Sequence, residues 1–352
     1  MPQLTASRKD EHIQITLRED VTFDQVTTGL ENYHFEHQAL PGLDLAAIST
    51  RTLFLGKELA FPLLISSMTG GSPSAARLNQ RLAEAAQSAQ IGMGLGSLRA
   101  ALEDPTLAWT YQVRQYAPHI LLLANLGAVQ LNYGYGPEEC QRAVEMVEAD
   151  GLILHLNPLQ EALQPEGDTH FAGLLPRIEA VCCALEVPVI VKEVGWGLSA
   201  ASARQLRDAG VTALDVAGAG GTSWSQVELY RSQSAVQREV AAAFRDWGIP
   251  TATALQLVRQ AVPQLPVIAS GGLRDGIALA KSLALGADVG ASATPLLRAA
   301  FESTEALHHA LVVWRRQFKI AMFAAGLPDI AALQKAKLIF KGTERLAICD
   351  EG

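Results

Sequence analysis

From about residue 61 onward, short apolar runs alternate with longer amphipathic stretches rich in alanine and leucine, and each apolar run closes on a glycine or a polar residue. The runs extend from Pro62 to Met68, Ile91 to Leu95, Ile120 to Asn125, Leu152 to His155, Val187 to Lys192, Ala213 to Ala217, Pro266 to Ser270 and Asp288 to Ser292. Short apolar runs bounded by turn residues read as strands buried on both faces, and the amphipathic stretches between them as covering helices. Eight such units in about 240 residues predict eight parallel strands with intervening helices, the dimensions of a (β/α)8 barrel. An open doubly wound sheet is the competing α/β arrangement. Its dinucleotide fingerprint belongs after the first strand, and neither Met68-Thr-Gly-Gly71 nor Ala217-Gly-Ala-Gly-Gly-Thr222 carries it. Both segments read instead as loops at the catalytic face of a barrel.

The pattern also divides the chain. Residues 1–60 lie outside the repeat, with a charged and aromatic stretch from Tyr33 to His37, and are expected to form a cap or lid. Residues 61–325 form the barrel, with an enlarged loop from about 223 to 250 after the sixth strand and a closing helix from Ser303 to Ala325. Residues 326–352 form a tail without a readable pattern.

Composition narrows the class. The 352 residues are 49% hydrophobic and 18% charged, as in ordinary globular proteins with a large core. A net charge of −8 argues against a general binder of nucleic acid or of anionic membranes. Cys140, Cys182, Cys183 and Cys349 have neither C-x-x-C spacing nor a matching histidine pair, so reduced structural thiols are expected. The N-terminus is polar, and no apolar run reaches the ~18 residues that a membrane span requires. A cytoplasmic location is expected.

In a barrel the strand ends converge on one mouth, so their polar residues are read together. The run His155-Leu-Asn-Pro-Leu-Gln-Glu161 places an imidazole, two amides and a carboxylate where a buried strand stops. Alternation turns His155 and Asn157 to one side, Pro158 ends the ladder, and Gln160 and Glu161 follow in the loop. Glycines after the seventh strand, in Ser270-Gly-Gly-Leu-Arg274, and a helix start after the eighth, in Ala291-Ser-Ala-Thr-Pro295, suit a phosphate group. Lys192 ends an apolar strand, and a Schiff base, a salt bridge to Glu193 or an anionic cofactor ring would each account for it. Thr69, Ser97, Asn125 and Thr222, near other strand ends, supply hydrogen-bonding groups suited to a polar ring such as a flavin's, although each alone is also a common turn or cap residue. Arg8, Lys9, His12 and Arg99 offer a second anion clamp, against which Ser7 and Asp10 read as an ordinary capping box. Glu161 beside that anion would suit Mg²⁺, which bridges a carboxylate to phosphates.

Together these segments resemble the type 2 isopentenyl diphosphate isomerases, flavin-dependent enzymes that interconvert isopentenyl and dimethylallyl diphosphate. The resemblance covers nearly the whole chain. It rests on Arg8-Lys9-x-x-His12, Thr27-Thr-Gly-Leu-Glu31, Met68-Thr-Gly-Gly71, Gly96-Ser-x-Arg99, Ala124-Asn-Leu-Gly127, His155-x-Asn-Pro-Leu-Gln-Glu161, Val191-Lys-Glu-Val-Gly195, Asp215-Val-Ala-Gly-x-Gly-Gly-Thr222 and Ser270-Gly-Gly272. The run from His155 is the most discriminating, because glycine loops recur in other flavin barrels.

The resemblance implies FMN held by Ser67, Met68, Thr69, Ser97, Asn125, Lys192, Thr222, Gly271, Gly272, Leu273, Arg274, Ala293 and Thr294. It implies a substrate site of Arg8, Lys9, His12, Ser97, Arg99, His155, Asn157 and Gln160, with Mg²⁺ at Glu161. The residues assigned to catalysis are Gln160, His155, Asn157 and Lys192, with FMN active when reduced, NADPH the reductant, and no net redox change. Gln160, a neutral amide, is assigned an assisting role in positioning substrate or relaying a proton. A homo-oligomer, tetramer or octamer, is expected from the family and from the Ala/Leu-rich exterior.

Two other classes share parts of the pattern. An FMN-dependent barrel oxidoreductase, such as a 2-hydroxy-acid oxidase, needs a histidine base with an arginine near the end of the seventh strand. This chain has Arg274 there but no histidine. Barrel nucleotide dehydrogenases need a cysteine in a βα loop, and none of the four lies at a strand end. A non-catalytic phosphate-binding barrel would leave the run from His155 to Glu161 as surplus buried polarity.

Overall fold

Eight short strands close into one parallel barrel in the computed structural model, which describes residues 11–341. In chain order they are Leu63–Ile65, Gly92–Gly94, Leu122–Gly127, Gly151–His155, Val189–Lys192, Ala213–Asp215, Val267–Ala269 and Val289–Ser292, each hydrogen-bonded to its sequence neighbours. Every run read from the sequence supplies one strand, and the last pairs with the first through Gly290 and Leu63. Helices such as Pro73–Ala89, Leu174–Ala184 and Thr304–Ala324 cover the outside. Leu122, Leu154, Val191, Leu214 and Val267 face that layer in the larger apolar cluster.

Strand alternation explains why an apolar barrel carries a polar mouth. Leu123, Ile153, Ile190, Ala213 and Ile268 fill the interior together with Leu64, Val289 and Ala291. The next side chain on the same face lies two residues further on. Those positions are Asn125, His155, Lys192, Asp215 and Ser270, so one periodicity builds a dry lower layer and a hydrogen-bonding upper one. Register then sets the polar residues abreast, with His155 opposite Lys192 and Lys192 opposite Asp215.

The N-terminal segment serves both ends of the barrel. Residues 11–18 form a helix at the mouth, where His12, Ile13 and Thr16 line the cavity. At the opposite end a hairpin, Thr52–Phe54 with Lys57–Leu59, packs Phe54 and Leu59 into the interior cluster and plugs the floor. Its turn is Leu55-Gly56, with φ of 46° and 78°, and positive φ at both central residues is what a tight two-residue hairpin requires. The segment thus contributes to the mouth and to the floor of the barrel.

Three local readings are corrected. Gln160 and Glu161 lie in a short helix, Pro158–Leu163, rather than in a loop, because Asn157 takes the N-cap and Pro158 the first turn, where its missing N–H costs nothing. The enlarged loop after the sixth strand contains two helices, Trp224–Arg231 and Ala235–Ala243, the second capped by Ser234. The tail has structure as well: Leu338–Phe340 pairs antiparallel with Tyr33–Phe35. Arg8, Lys9, the Ser7–Asp10 pair and Cys349 lie outside the described residues. Among the described residues no helix is long and apolar enough to cross a membrane, and Cys140, Cys182 and Cys183 are free thiols on helices.

Candidate active site

A cavity of about 540 Å³ opens at the C-terminal ends of the strands. One wall is built from the glycine loops after the sixth and seventh strands. Gly271 and Gly272 take φ of 98° and 78°, and a Cβ on Gly272 would lie 2.6 Å from the Gly220 carbonyl oxygen. A Cβ on Gly221 would lie 2.5 Å from Gly272 N, so the two loops touch through backbone alone. The helix Thr294–Glu302 begins at this wall, and its N-cap residue Ala293 supplies no side-chain acceptor to its first turn. Arg274 also lines the wall and has no hydrogen-bond or ion-pair partner among the described residues. Open helix N–H groups, close backbone approach and an uncommitted guanidinium together suit a phosphate monoester.

The inner face of the mouth carries the strand-end polar set. Asn125 Oδ1 and His155 Nδ1 are 2.8 Å apart. Lys192 is 7% exposed, and its Nζ donates to the Glu193 carbonyl oxygen at 2.6 Å. The salt bridge to the Glu193 carboxylate is not formed. That carboxylate instead accepts the backbone N–H groups of Val194 (2.7 Å), Gly195 (2.7 Å), Trp196 (2.5 Å) and Gly197 (3.2 Å), which pegs the loop behind Lys192. Burial pushes Glu193 up to about 7 against the pull of these donors. Burial likewise raises Asp215, whose Oδ1 accepts from Ser270 Oγ at 2.6 Å. Ser67 Oγ is buried without a partner, an atom left for a ligand.

Across the cavity, Gln160 Nε2 donates to Glu228 Oε1 at 3.1 Å. The same carboxylate accepts from Gln164 at 2.6 Å and from Arg231 at 3.0 Å, and His12 Nε2 lies 3.2 Å away. Burial would raise Glu228, but the His12 contact and charge and the two amides hold it below the ordinary carboxylate range. The His12 ring meets Trp224 edge-on at 5.3 Å. Asn157 Nδ2 donates to Glu161 Oε1 (2.8 Å) and to Gln160 Oε1 (3.2 Å), while Asn157 Oδ1 is buried without a partner. At the rim, Arg99 bonds Glu103 and Asp168, each at 2.7 Å.

The structure thus brings His12, Ser67, Met68, Ser97, Arg99 and Asn125 to one cavity with His155, Asn157, Gln160, Glu161 and Lys192. Thr222, Leu273 and Thr294 join them on the phosphate wall, where the Thr222 and Thr294 hydroxyls are 2.9 Å apart. Thr69 is the exception. It is buried at 1%, lies outside the lining, and uses its carbonyl oxygen to accept from Gly96 N and Asn79. Sequence reasoning missed Glu228, Gln164, Trp224 and Asp168. The length of the insertion after the sixth strand was the only signal for Trp224 and Glu228, and Asp168 had none.

These groups fit FMN, with the glycine wall and Arg274 for its phosphate and Lys192, Asn125 and Ser67 for its ring. For a metal, no group of three His, Cys, Asp or Glu side chains among the described residues would hold one unaided. Glu161 is a single carboxylate at the cavity, so Mg²⁺ fits there only if ligand oxygens and water complete its shell.

The family described as FMN-dependent dehydrogenase matches residues 5–112 and 164–340. An isopentenyl-diphosphate delta-isomerase of Synechococcus sp. is 55% identical over 93% of this chain and 94% of its own length. Those of Nostoc sp. (52%, covering 94% of each chain) and Stutzerimonas stutzeri (52%, covering 96% and 98%) are similar over the same extent. Among solved structures, a mandelate oxidase with a monooxide FMN adduct superposes with a TM-score of 0.62 at 17% identity, covering 89% of this chain and 90% of that one. At that identity the likeness concerns the fold alone.

Proposed function

The chain belongs to the FMN-dependent isopentenyl-diphosphate delta-isomerase family, and from that membership we propose how its own residues convert isopentenyl diphosphate to dimethylallyl diphosphate and back. The observation that carries the reading is that one cavity is lined by two groups of residues suited, directly or through a cation, to phosphate. One is the glycine wall with Arg274, and the other is the rim with Arg99 and Glu161. A cofactor with one phosphate occupies the first, and a substrate with a diphosphate the second.

When bound and reduced, FMN supplies an electron-rich ring that gives up and takes back a proton without net redox change. Ser67, Met68, Ser97, Asn125 and Lys192 hold that ring, and Lys192 balances its negative charge. Gly271, Gly272, Leu273 and Arg274, with Thr222, Ala293 and Thr294, hold its phosphate. Thr69 supports the backbone of Gly96 through its carbonyl oxygen, and its buried hydroxyl, which has no partner among the described residues, is kept for the cofactor. His155, Asn157 and Gln160 line the pocket for the hydrocarbon part of the substrate, and Glu228 fixes the amide of Gln160. Arg99, with Arg8, Lys9 and His12 from the N-terminal segment, binds the diphosphate, and Glu161 shares Mg²⁺ with it. NADPH serves as the reductant. In this reading the described part of the N-terminal segment, residues 11–60, caps and plugs the barrel of residues 61–325, Leu338–Phe340 closes against that cap, and the protein works as a cytoplasmic homo-oligomer, tetramer or octamer.

The oxidase alternative finds no support at the mouth. Histidine residues line the cavity at His12 and His155, from the N-terminal helix and the fourth strand, and neither follows the seventh strand with Arg274. The test is to follow isopentenyl diphosphate with FMN-loaded protein under anaerobic conditions, omitting NADPH or Mg²⁺ in turn. Conversion that requires both supports the assignment. Flavin reduction by 2-hydroxy acids without isomerisation overturns it.

A further inference from the structure

The loop from Gln164 to His170, which follows the helix bearing Gln160 and Glu161, has no part in the reading above, yet it joins the two groups assigned to the diphosphate. Asp168 Oδ2 accepts from Arg99 Nη1 at 2.7 Å and from Gln130 Nε2 at 2.9 Å. The backbone N–H of the same residue donates to Glu161 Oε2 at 2.7 Å. Gly167 packs so closely on the Glu161 carbonyl that a Cβ there would overlap it. Gln164 is tied to Glu228, and Glu166 to Arg231. At the far end Asn132 Nδ2 donates to the His170 carbonyl oxygen at 2.7 Å, so the loop is held at both ends and keyed at its centre to Glu161.

We propose that Asp168 is a positioning residue for substrate binding, fixing the Arg99 guanidinium and the Glu161 carboxylate relative to one another so that both grip one diphosphate. The inference rests on the assignment of Arg99 and Glu161 to the diphosphate. Arg99 Nε is taken by Glu103 and Nη1 by Asp168, while Nη2 has no partner among the described residues. Two in-plane bonds to different carboxylates fix the orientation of a planar guanidinium, and the remaining nitrogen is the one available to an anion. With a single bond to Glu103 the group would pivot. Asp168 is itself immobilised by Gln130, which is buried at 4%.

Two physical effects give opposite signs here. Asp168 is an anion beside an anion site, so charge alone predicts tighter diphosphate binding when it is neutralised. Positioning predicts weaker binding. The experiment titrates inorganic diphosphate, with Mg²⁺ present, into the FMN-loaded protein by calorimetry, comparing wild type with Asp168→Asn, Asp168→Ala and Arg99→Ala. Asp168→Ala should weaken binding about tenfold, the loss of one charge-assisted contact. Asp168→Asn should recover part of that affinity, because its amide oxygen still accepts one donor. FMN affinity should match wild type in both, and in turnover assays the rise in KM should exceed any change in kcat. Equal or tighter diphosphate binding in both Asp168 variants overturns the proposal. If instead Arg99→Ala binds diphosphate as wild type does, the diphosphate assignment itself is wrong, whatever Asp168 does.

Discussion

Glu228 is a buried carboxylate whose partners can be counted, so its replacement by glutamine has a calculable outcome. Its Oε1 accepts from Gln160 and Gln164 and lies 3.2 Å from His12 Nε2, its Oε2 accepts from Arg231, and it is 3% exposed. A glutamine there has one acceptor oxygen and one NH₂. Turned toward Gln160 and Gln164, the NH₂ would forfeit both of their bonds and the His12 contact. Turned toward Arg231, it forfeits one charge-assisted bond and sets donor against donor. The second arrangement is cheaper and costs about 2–3 kcal/mol, the range for a buried bond to a charged group. At about 2.1 cal/mol/K per residue, 352 residues give an unfolding entropy of about 0.7 kcal/mol/K, so Tm should fall by about 3–4 °C at pH 7. Because the folded-state pKa of Glu228 is depressed, its stabilisation is complete above the ordinary carboxylate value near 4.3 and is lost as pH falls through the lower folded value. The Tm gap between wild type and Glu228→Gln should therefore narrow on acidification through that window. Differential scanning calorimetry of both proteins at several pH values measures it. Coincident Tm values at pH 7, or a gap that widens as the pH drops, would show that the carboxylate does not hold this network.

Gly221→Ala should abolish tight FMN binding, since its methyl group meets the Gly272 backbone at 2.5 Å and pries the two phosphate-wall loops apart; fluorescence titration of FMN reads this, and wild-type affinity would falsify the assignment of that wall. Phe54→Ala removes the floor plug, and at about 3–5 kcal/mol for a buried phenylalanine it should lower Tm by about 4–7 °C while FMN affinity at the opposite end stays near wild type. Lys9→Ala should chiefly raise KM, whereas Gln160→Ala should chiefly lower kcat; steady-state kinetics separate the two, and small, equal effects from both would remove the assigned roles.

Much of the barrel was legible because its signal is local. Apolar runs such as Leu152 to His155 are too short for helices and too continuous for half-exposed strands, and the residue two positions beyond each inward apolar one falls at the mouth. Once the strands were placed, His155, Lys192 and the glycines at 271 and 272 followed. Two kinds of feature were not legible. The first is fine local structure: Asn157-Pro158 reads equally as a strand stop and as a helix start, and the helix that it opens packs against Trp224–Arg231 and Ala235–Ala243, helices in a stretch whose pattern reads as loop. The second is partnership across long separations. Gln160 and Glu228 are 68 residues apart, and Arg99 and Asp168 are 69 apart, with no periodicity linking them. Thr69 shows the converse limit, because its residue type and strand-end position do not tell that it lies outside the cavity lining or that its carbonyl oxygen supports Gly96.

The most direct test places FMN-loaded protein, Mg²⁺ and isopentenyl diphosphate in D₂O under anaerobic conditions, with NADPH added once to reduce the flavin, and follows the products by NMR. Many turnovers per NADPH consumed, with solvent deuterium entering dimethylallyl diphosphate, are the expected result. Product that forms without deuterium, or only in step with NADPH oxidation, would contradict proton exchange at this site.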